Sequence, residues 1–285
     1  MQPFIILVGA SGFIGLEYVK YFIKNNIPYI TFSRITLNSP DQLFYNLQLH
    51  KKYNNQIFLI NAAGYTGKPN VDACEDNKAE CLYVNSVLPG KLNDLCSSLG
   101  IIYCHVSSGC IYNGYDKVFT EEDAPNFTFR QNNCSFYSGT KALGEEIISD
   151  NPNKYVWRLR IPFNSDLSNP RNYLSKIIKY PTLLNTANSI TYIDDFIDIT
   201  YKTILQKCPF GIYNITNDGE VHACKLYDIL MKNGLISAQK QYYKSIEEFS
   251  KTVSSPRSNC LLDNSKIKNL GFKMENAYNI IERII

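Results

Sequence analysis

The sequence predicts an α/β fold in which a doubly wound parallel sheet is followed by a smaller C-terminal lobe. Short apolar runs alternate with segments of helical periodicity through the first half of the chain. Continuous apolar runs are typical of strands that are buried on both faces of a parallel sheet. A glycine-rich turn, Gly9-Ala-Ser-Gly12-Phe-Ile-Gly15, lies between the first strand and the first helix. This order favours right-handed crossovers between neighbouring strands.

The individual elements follow from the periodicity and from helix start signals. Phe13, Leu16 and Val19 recur at helical spacing after the glycine-rich turn. Ser39-Pro40-Asp41 has the composition of a helix N-terminus. Strands are predicted at residues 4–8, 29–32, 57–60, 101–106, 155–159 and 212–215. Helices are predicted at residues 13–24, from residue 39 onward, and at 74–99, 137–148, 170–180, 194–205, 224–231 and 274–284.

The composition of the 285-residue chain argues against several partners. Its 29 basic and 26 acidic side chains nearly cancel, and the lysines are scattered rather than gathered in a stripe, so we expect no nucleic acid partner. The apolar run at the start ends at Gly9 and is too short for a membrane span. Nine cysteines without a C-x-x-C pair indicate reduced thiols. We therefore expect a cytoplasmic protein without membrane association.

The glycine-rich turn has the features of a dinucleotide-binding site. Its glycines let the chain turn tightly, admit a pyrophosphate to the backbone and let the helix pack close to the strand. The amide groups at the start of the following helix attract the phosphates. The residues predicted to bind the cofactor here are Gly9, Ser11, Gly12, Phe13, Ile14 and Gly15.

These features also divide the chain. We predict a Rossmann-type dinucleotide-binding domain over residues 1–162 and a mainly substrate-binding lobe over residues 163–285, where the regular alternation of strands and helices loosens. A return of residues 185–215 to the first domain is left open.

The end of the second strand selects between the two nicotinamide cofactors. A carboxylate there binds the ribose 2′-hydroxyl of NADH, whereas arginine accommodates the 2′-phosphate of NADPH. The chain has Thr31-Phe-Ser33-Arg34 at this point, with no acidic residue. We therefore predict NADPH as the cofactor in preference to NADH, with Ser33 and Arg34 among the residues that bind it. The alternative for Arg34 is an ordinary solvated side chain.

A tyrosine and a lysine are spaced for proton transfer. Tyr137-Ser-Gly-Thr-Lys141 places a phenol and an ammonium one helical turn apart on the same face. The positive charge is expected to lower the tyrosine pKa from about 10 towards the working pH. Ser108 lies at the carboxyl end of the strand 101–106, where parallel strands face the ligand crevice. The three residues predict a ketone reductase in which Ser108 binds the carbonyl and Tyr137 donates the proton. Lys141 would also hold the nicotinamide ribose.

This ordered set of motifs resembles the extended short-chain dehydrogenases/reductases. The chain also has their Asn61-Ala62-Ala63-Gly64 segment and an Arg160-Ile-Pro162 segment, each directly after a predicted strand. The resemblance implies that Asn61, Ala62 and Ala63 form a wall of the cofactor site and that Pro162 neighbours the nicotinamide.

Within that family, further stretches are similar to the plant-type bifunctional 3,5-epimerase/4-reductases of UDP-rhamnose synthesis. They are Gly67-Lys-Pro-Asn-Val-Asp-Ala-Cys-Glu75, Gly109-Cys-Ile-Tyr112, Glu121-Glu-Asp-Ala-Pro-Asn-Phe127, Ser135-Phe-Tyr-Ser138, Ser165-Asp-Leu-Ser-Asn-Pro-Arg-Asn172 and Ser255-Pro-Arg-Ser-Asn259. The resemblance covers nearly the whole chain, although residues before 60 match only generically. It implies that UDP-4-keto-6-deoxyglucose is inverted at C3 and C5 and then reduced at C4 to UDP-L-rhamnose.

Epimerisation needs acid and base groups besides the reductase tyrosine. Cys110 lies two residues beyond Ser108 and is expected to point to the same side of the strand. Lys176 matches the lysine at the corresponding place in the plant-type motif. The resemblance implies that Cys110 and Lys176 act in epimerisation. The alternatives are a cysteine of the core and a solvated helical lysine.

The resemblance also implies which residues contact the nucleotide sugar. Ser108 and Cys110 would face the sugar, together with Asn172. Arg257 resembles the late arginine that extended family members direct at the diphosphate, where a guanidinium binds with two parallel hydrogen bonds. The alternative for Arg257 is a surface arginine.

Three other functions stay open. They are a monofunctional reductase of the dTDP-4-dehydrorhamnose type, a non-catalytic NADP-binding regulatory subunit, and a reductase of an unrelated ketone. The resemblance implies a homodimer through the helices near residues 78–98 and 137–148, and a separate 4,6-dehydratase that supplies the substrate. The histidines at 50, 105 and 222 lie in separate contexts, so no metal site is predicted.

Overall fold

The computed structural model describes residues 2–54 and 56–285 of the chain. Its strands are β1 Phe4–Val8, β2 Tyr29–Thr31, β3 Ile57–Asn61, β4 Ile102–Ser108, β5 Lys154–Leu159, β6 Pro162–Phe163, β7 Thr182–Leu183, β8 Ala187–Asn188, β9 Thr191–Tyr192, β10 Gly211–Asn214, β11 Val221–His222 and β12 Gln241–Tyr242. Six of these strands form one parallel sheet in the order β10-β5-β4-β3-β1-β2. The predicted doubly wound α/β fold is confirmed.

Helices cover both faces of this sheet and also form much of the region beyond β5. They are α1 Phe13–Lys24, α2 Arg34–Asn38, α3 Pro40–Tyr53, α4 Ala73–Asp76, α5 Lys78–Leu82, α6 Leu88–Leu99, α7 Phe136–Ile147, α8 Tyr173–Lys179, α9 Ile193–Leu205, α10 Ala223–Lys232, α11 Ile246–Ser250, α12 Ser265–Asn269 and α13 Ala277–Ile284. Ile5 and Leu7 of β1 pack beneath α1 and α9, whereas Ile6 and Val8 pack beneath α3 and α6. Because successive side chains of a strand point to opposite faces, a strand that is covered on both faces has a continuous apolar run.

The prediction of one long helix at residues 74–99 is wrong. The chain forms α4, then α5, which continues through a π-helical turn at Tyr83–Val87 into α6. Pro89 is the second residue of α6 and has no N–H to donate to the backbone carbonyl of Asn85. That carbonyl lies against α7, where a Cβ added to Gly144 would be 2.2 Å from it. The side-chain amide of Asn85 accepts a hydrogen bond from the Tyr65 N–H and donates one to the Tyr65 carbonyl, each at 2.9 Å.

The sheet includes residues from the second half of the chain. β10 pairs in parallel with β5, from Gly211 opposite Tyr155 to Asn214 opposite Arg158. Helix α9 packs on α1, and the hydroxyls of Tyr18 and Thr200 lie 2.7 Å apart between them. These elements therefore pack with the parallel sheet, which is the alternative that the sequence left open for residues 185–215. The exact domain bounds stay a prediction.

A second apolar cluster lies beyond β5. Its buried members come mainly from α8, α10 and α13, and include Phe163, Leu174, Leu226 and Ile280. Short strand pairs surround it, with β6 beside β9, β8 beside β11 and β7 beside β12. The remaining predicted elements are present with ends that shift by a few residues. For example, α13 begins at Ala277 rather than at residue 274. Nowhere in the described ranges is a helix long and apolar enough to cross a membrane.

Candidate active site

The glycine-rich turn connects β1 to α1 and leaves no room for larger side chains. Gly9 has φ +85°, and a Cβ there would lie 2.4 Å from the backbone nitrogen of Ala63. A Cβ at Gly15 would lie 2.0 Å from the carbonyl oxygen of Gly9. Gly12 is the N-cap of α1, and no side chain caps the helix. The amide groups of the first turn are therefore available to an anion, as the phosphates of a dinucleotide require.

Hydrogen bonds of Asn61 fix the predicted wall of the cofactor site. Asn61 is fully buried at the end of β3, where its side-chain oxygen accepts a hydrogen bond of 3.1 Å from the Ala63 amide. Its side-chain nitrogen donates to the hydroxyl of Tyr103 at 3.0 Å. Ala62 and Ala63 thereby stay against the glycine-rich turn. No pattern in the sequence pointed to Tyr103, which lies inside an apolar strand.

Ser33 and Arg34 lie at the carboxyl end of β2, as predicted. The Ser33 hydroxyl accepts the Thr36 amide at 3.2 Å and so caps α2. The Arg34 side chain is 80% exposed and lies 3.4 Å from the carboxylate of Glu80. An exposed ion pair of this kind contributes little stability, so the guanidinium is available to a phosphate. The role of both residues in binding the 2′-phosphate stays a prediction.

Helix α7 brings the predicted reduction residues together. Ser135 caps it by accepting the Ser138 amide at 3.1 Å, which places Tyr137 in the first turn. Tyr137 is half-buried as a residue, and its phenol lies close enough to Ser108 for that side chain to act on its pKa. Lys141 is 4% exposed, and its ammonium donates to the Val106 carbonyl at 3.1 Å.

The expected lowering of the tyrosine pKa is wrong for this structure. Loss of solvent raises the pKa of Tyr137 well above its ordinary value, the neighbouring Cys110 raises it further, and the nearby Ser108 hydroxyl only partly offsets this. Burial also lowers the pKa of the Lys141 ammonium. The lysine charge is directed at a backbone carbonyl and not at the phenol. Tyr137 therefore stays protonated, which is the state that a proton donor needs.

Cys110 is close to Ser108, but not for the predicted reason. The chain leaves β4 at Ser108 and forms a 3-10 turn at Gly109–Ile111, so Cys110 is not on the strand. The Ser108 hydroxyl accepts the Cys110 amide at 3.2 Å, which holds the two residues together. Burial raises the pKa of the Cys110 thiol, although Ser108 and Lys141 act in the opposite direction. The thiol is therefore protonated near neutral pH.

Lys176 lies in α8 within a cluster of positive charges. Burial lowers the pKa of its ammonium, and the guanidinium groups of Arg171 and Arg257 lower it further. Arg171 donates to the Gly67 carbonyl at 2.8 Å, and Arg257 forms an ion pair of 2.7 Å with Asp72. Lys176 and Arg257, predicted from separate motifs, thus belong to one local charge cluster.

The structure places Asn172 differently from the prediction. Its side chain is 0% exposed and caps α8 by accepting the Leu174 amide at 3.1 Å. Its nitrogen donates to the carbonyl oxygens of Asn164 and Asp166 at 2.8 and 2.9 Å. With its amide used in this way, Asn172 supports the segment before Lys176 and does not face a ligand.

The sequence interpretation missed Arg160. Its guanidinium is buried and donates to the carbonyls of Gly109 and Ser258, at 3.2 and 2.9 Å. The next residue, Ile161, has φ +40°, which is rare for a β-branched side chain. Pro162 follows at the start of β6. This strained bend sets the path of the chain beside the turn that carries Cys110.

A buried ion pair beneath α7 was also missed. Glu145 lies one turn after Lys141, and its carboxylate accepts two hydrogen bonds of 3.1 Å from Nε of Arg158 and one of 2.7 Å from Nη2. Ser107 also donates to this carboxylate, and Arg158 donates to the hydroxyl of Tyr112 at 2.9 Å. An arginine within the otherwise apolar strand at 155–159 was the available signal.

Together, the parallel sheet, the glycine-rich turn and the Ser108–Tyr137–Lys141 group define an α/β protein of the short-chain dehydrogenase/reductase class. A family model described as the RmlD substrate binding domain matches residues 1–285. The chain belongs to this family, and the predicted resemblance is confirmed.

Two curated relatives from Arabidopsis thaliana are similar over most of this chain. One is a trifunctional UDP-glucose 4,6-dehydratase/UDP-4-keto-6-deoxy-D-glucose 3,5-epimerase/UDP-4-keto-L-rhamnose-reductase, 34% identical over 271 residues, which are 92% of this chain and 39% of the relative. The other is a bifunctional dTDP-4-dehydrorhamnose 3,5-epimerase/dTDP-4-dehydrorhamnose reductase, 32% identical over 279 residues, 92% of this chain and 86% of the relative. The chain thus spans well under half of the trifunctional protein.

Solved structures share the fold. A UDP-rhamnose synthase from Acanthamoeba polyphaga mimivirus has a TM-score of 0.87 at 22% identity, covering 100% of this chain and 99% of that one. A dTDP-4-dehydrorhamnose reductase from Bacillus anthracis in complex with NADP has a TM-score of 0.80 at 15% identity, covering 100% and 98%. The predicted cofactor, NADPH, agrees with the NADP in that complex.

Proposed function

We propose that the chain reduces the 4-keto group of a nucleoside-diphosphate 4-keto-6-deoxy sugar with NADPH, after inverting the sugar at C3 and C5. The substrate would be UDP-4-keto-6-deoxyglucose and the product UDP-L-rhamnose. The observation that carries the proposal is geometric: the Ser108 hydroxyl holds the Cys110 amide at 3.2 Å beside the helix of Tyr137 and Lys141. Lys176 lies in the charge cluster of Arg171 and Arg257, where burial and these guanidinium groups lower the pKa of its ammonium. The activities named for the Arabidopsis relatives support both halves.

In the reduction, Ser108 donates a hydrogen bond to the C4 carbonyl oxygen. Bound NADPH supplies the hydride that C4 receives. Tyr137 gives its proton to the C4 oxygen, so that the ketone becomes an alcohol. Lys141 is fixed by the Val106 carbonyl beside this group and holds the nicotinamide ribose with its remaining N–H bonds.

In the epimerisation, the 4-keto group makes the hydrogens on C3 and C5 acidic. Lys176, as an uncharged amine, removes a proton and leaves an enolate whose charge rests on the C4 oxygen. The Cys110 thiol returns a proton to the opposite face of the same carbon. Each inversion therefore removes one proton from the carbon and adds one to it. Afterwards the Lys176 ammonium loses its proton to water and the Cys110 thiolate regains one from water, so both groups return to their starting states. Arg257 binds the diphosphate and orients the sugar.

The test uses UDP-4-keto-6-deoxyglucose in deuterated water, with and without NADPH, and resolves the product by mass spectrometry and NMR. We expect UDP-rhamnose that carries deuterium at C3 and C5. Without NADPH, deuterium should still enter the unreduced sugar. Oxidation of NADPH only after a separate 3,5-epimerase is added would show that the chain is a reductase alone. Cys110 and Lys176 would then have no role in epimerisation.

Three further expectations accompany this proposal. The substrate is supplied by a 4,6-dehydratase, an activity that the name of the trifunctional relative includes. The homodimer and the cytoplasmic location stay predictions. An assay of the chain with UDP-glucose alone should give no rhamnose until a dehydratase is added.

A further inference from the structure

One short segment contacts both sides of the proposed substrate cleft. It is Gly67-Lys-Pro-Asn-Val-Asp-Ala-Cys-Glu75, called here the bridging segment, which follows β3 and includes most of α4. Its first residue accepts a hydrogen bond of 2.8 Å from Arg171, just before α8. Its last residue, Glu75, accepts the Phe136 amide at 2.8 Å, at the start of α7. Neither the reduction nor the epimerisation described above assigns a role to this segment.

Asp72 makes the third and densest contact of the bridging segment. Its Oδ2 accepts from Nη2 of Arg257 at 2.7 Å. Its Oδ1 accepts from the Ser255 amide at 3.1 Å and from the Ser255 hydroxyl at 3.0 Å. Arg257 in turn donates from Nη1 to the Ser255 carbonyl and hydroxyl, at 2.8 and 2.6 Å. One carboxylate therefore fixes both the arginine and the turn on which it lies.

The arrangement leaves part of the guanidinium available. Nη1 and one N–H of Nη2 are used, whereas Nε has no intramolecular acceptor among residues 2–54 and 56–285. The side chains of Asp72 and Arg257 are 23% and 22% exposed, so solvent and ligand can reach the pair. Partial burial would raise the pKa of Asp72, but the bonds from Arg257 and Ser255 outweigh it and keep the pKa low. The carboxylate is therefore charged at neutral pH.

We propose that the bridging segment is the positioning element of the substrate cleft, and that Asp72 holds Arg257 in the orientation that binds the nucleotide diphosphate. The proposal rests on the diphosphate-binding role of Arg257 proposed above. An arginine that is ordered before binding loses less conformational freedom when the ligand arrives. Asp72 also balances one of the two guanidinium charges of Arg171 and Arg257, which leaves a net positive charge suited to a diphosphate.

The experiment measures the affinity of the full chain for UDP by calorimetry, together with KM and kcat for reduction. Asp72→Asn keeps the size of the side chain and removes the charge. We expect UDP to bind about tenfold more weakly and KM to rise to match, while kcat changes by less than about twofold, because the ligand must now order the arginine itself. Asp72→Glu should recover part of the affinity. Asp76→Asn, at the exposed last residue of α4, which Asp72 directly precedes, is the matched control and should leave all three values unchanged.

Two results would overturn the proposal. Tighter UDP binding in Asp72→Asn would mean that the carboxylate competes with the diphosphate for Arg257. An affinity equal to that of the Asp76 control would mean that Asp72 has no positioning role. If Asp72→Asn does not fold, Ser255→Ala removes one hydroxyl from the same contacts and should weaken UDP binding by about threefold; unchanged binding there would overturn the proposal as well.

A further variant separates this proposal from the proposed function. Arg257→Ala should weaken UDP binding at least as much as Asp72→Asn does. If it does not, the diphosphate role of Arg257 is wrong, and the proposed function must be revised at that residue. If Arg257→Ala weakens binding and Asp72→Asn does not, only the positioning role of Asp72 fails.

Discussion

The two halves of the proposed site are built in different ways. The reduction half, Ser108, Tyr137 and Lys141, lies on β4 and α7, two regular elements that pack directly against each other. The epimerisation half, Cys110 and Lys176, lies on a 3-10 turn and a short helix. The nearby Arg257 depends on Asp72, which is 185 residues away in the chain.

Protonation is also set differently in the two halves. Burial dominates in the reduction half, where it raises the pKa of Tyr137 and lowers that of Lys141. In the second half, burial acts on Lys176 together with the charges of Arg171 and Arg257. The difference is that removal of water alone favours the protonated phenol, whereas the lowered pKa of the Lys176 ammonium comes from burial together with two neighbouring cations.

The largest expected effect is the loss of the proton donor. Tyr137→Phe should lower the rate of NADPH oxidation by about 10²–10⁴-fold, because it removes the general acid that gives its proton to the C4 oxygen. Deuterium exchange at C3 and C5 should continue. Tyr180→Phe, at an exposed position, is the control. If exchange is lost together with reduction, the two halves do not work independently and the comparison fails.

The next effect concerns the buried ion pair of Glu145 and Arg158, which lies beneath α7. Glu145→Ala leaves the buried guanidinium of Arg158 without its partner and should lower the free energy of unfolding by about 3–5 kcal/mol. Glu146→Ala removes only the exposed pair with Arg130 and should change the free energy of unfolding far less. Chemical denaturation of both variants measures these losses in the free energy of unfolding. Equal losses would show that the buried pair is not a special support for α7.

Loss of Lys176 should abolish most of the epimerisation and leave the reduction nearly unchanged. Lys176→Met should lower deuterium exchange by about 10²-fold or more, since the base is gone. Reduction of a substrate that another enzyme has already epimerised should stay within a few-fold of the parent. Lys179→Met changes an exposed lysine of the same helix and should have no effect. Exchange at the parent rate in the Lys176 variant would show that another group is the base.

The smallest effect is a shift along the pH axis. The exchange rate should rise with pH as Lys176 loses its proton, and should fall as pH drops through the lysine pKa. Arg171→Gln removes a positive neighbour, so the pKa of Lys176 should rise and the acidic limb of the profile should move to higher pH. The pH profile of reduction should not move. An unchanged exchange profile would mean that Arg171 does not influence the lysine.

Local patterns in the sequence determined the reduction half. The apolar run of β1, the glycine turn and the four-residue spacing of Tyr137 and Lys141 each depend on neighbouring residues, so periodicity and backbone geometry are enough to place them. The same patterns predicted the order of most strands and helices. The resemblance of longer motifs identified the family and named Cys110, Lys176 and Arg257.

The tertiary structure decided what those residues contact. Local patterns did not show that Asn172 turns inward, that Pro89 opens a π-helical turn against α7, or that β10 completes the sheet. Nor did they show that Asp72 holds Arg257, or that Glu145 pairs with Arg158 beneath α7. Each of these features joins residues that are far apart in the chain or depends on how completely water is removed. Periodicity contains no information about either quantity, because both arise only when distant segments pack together.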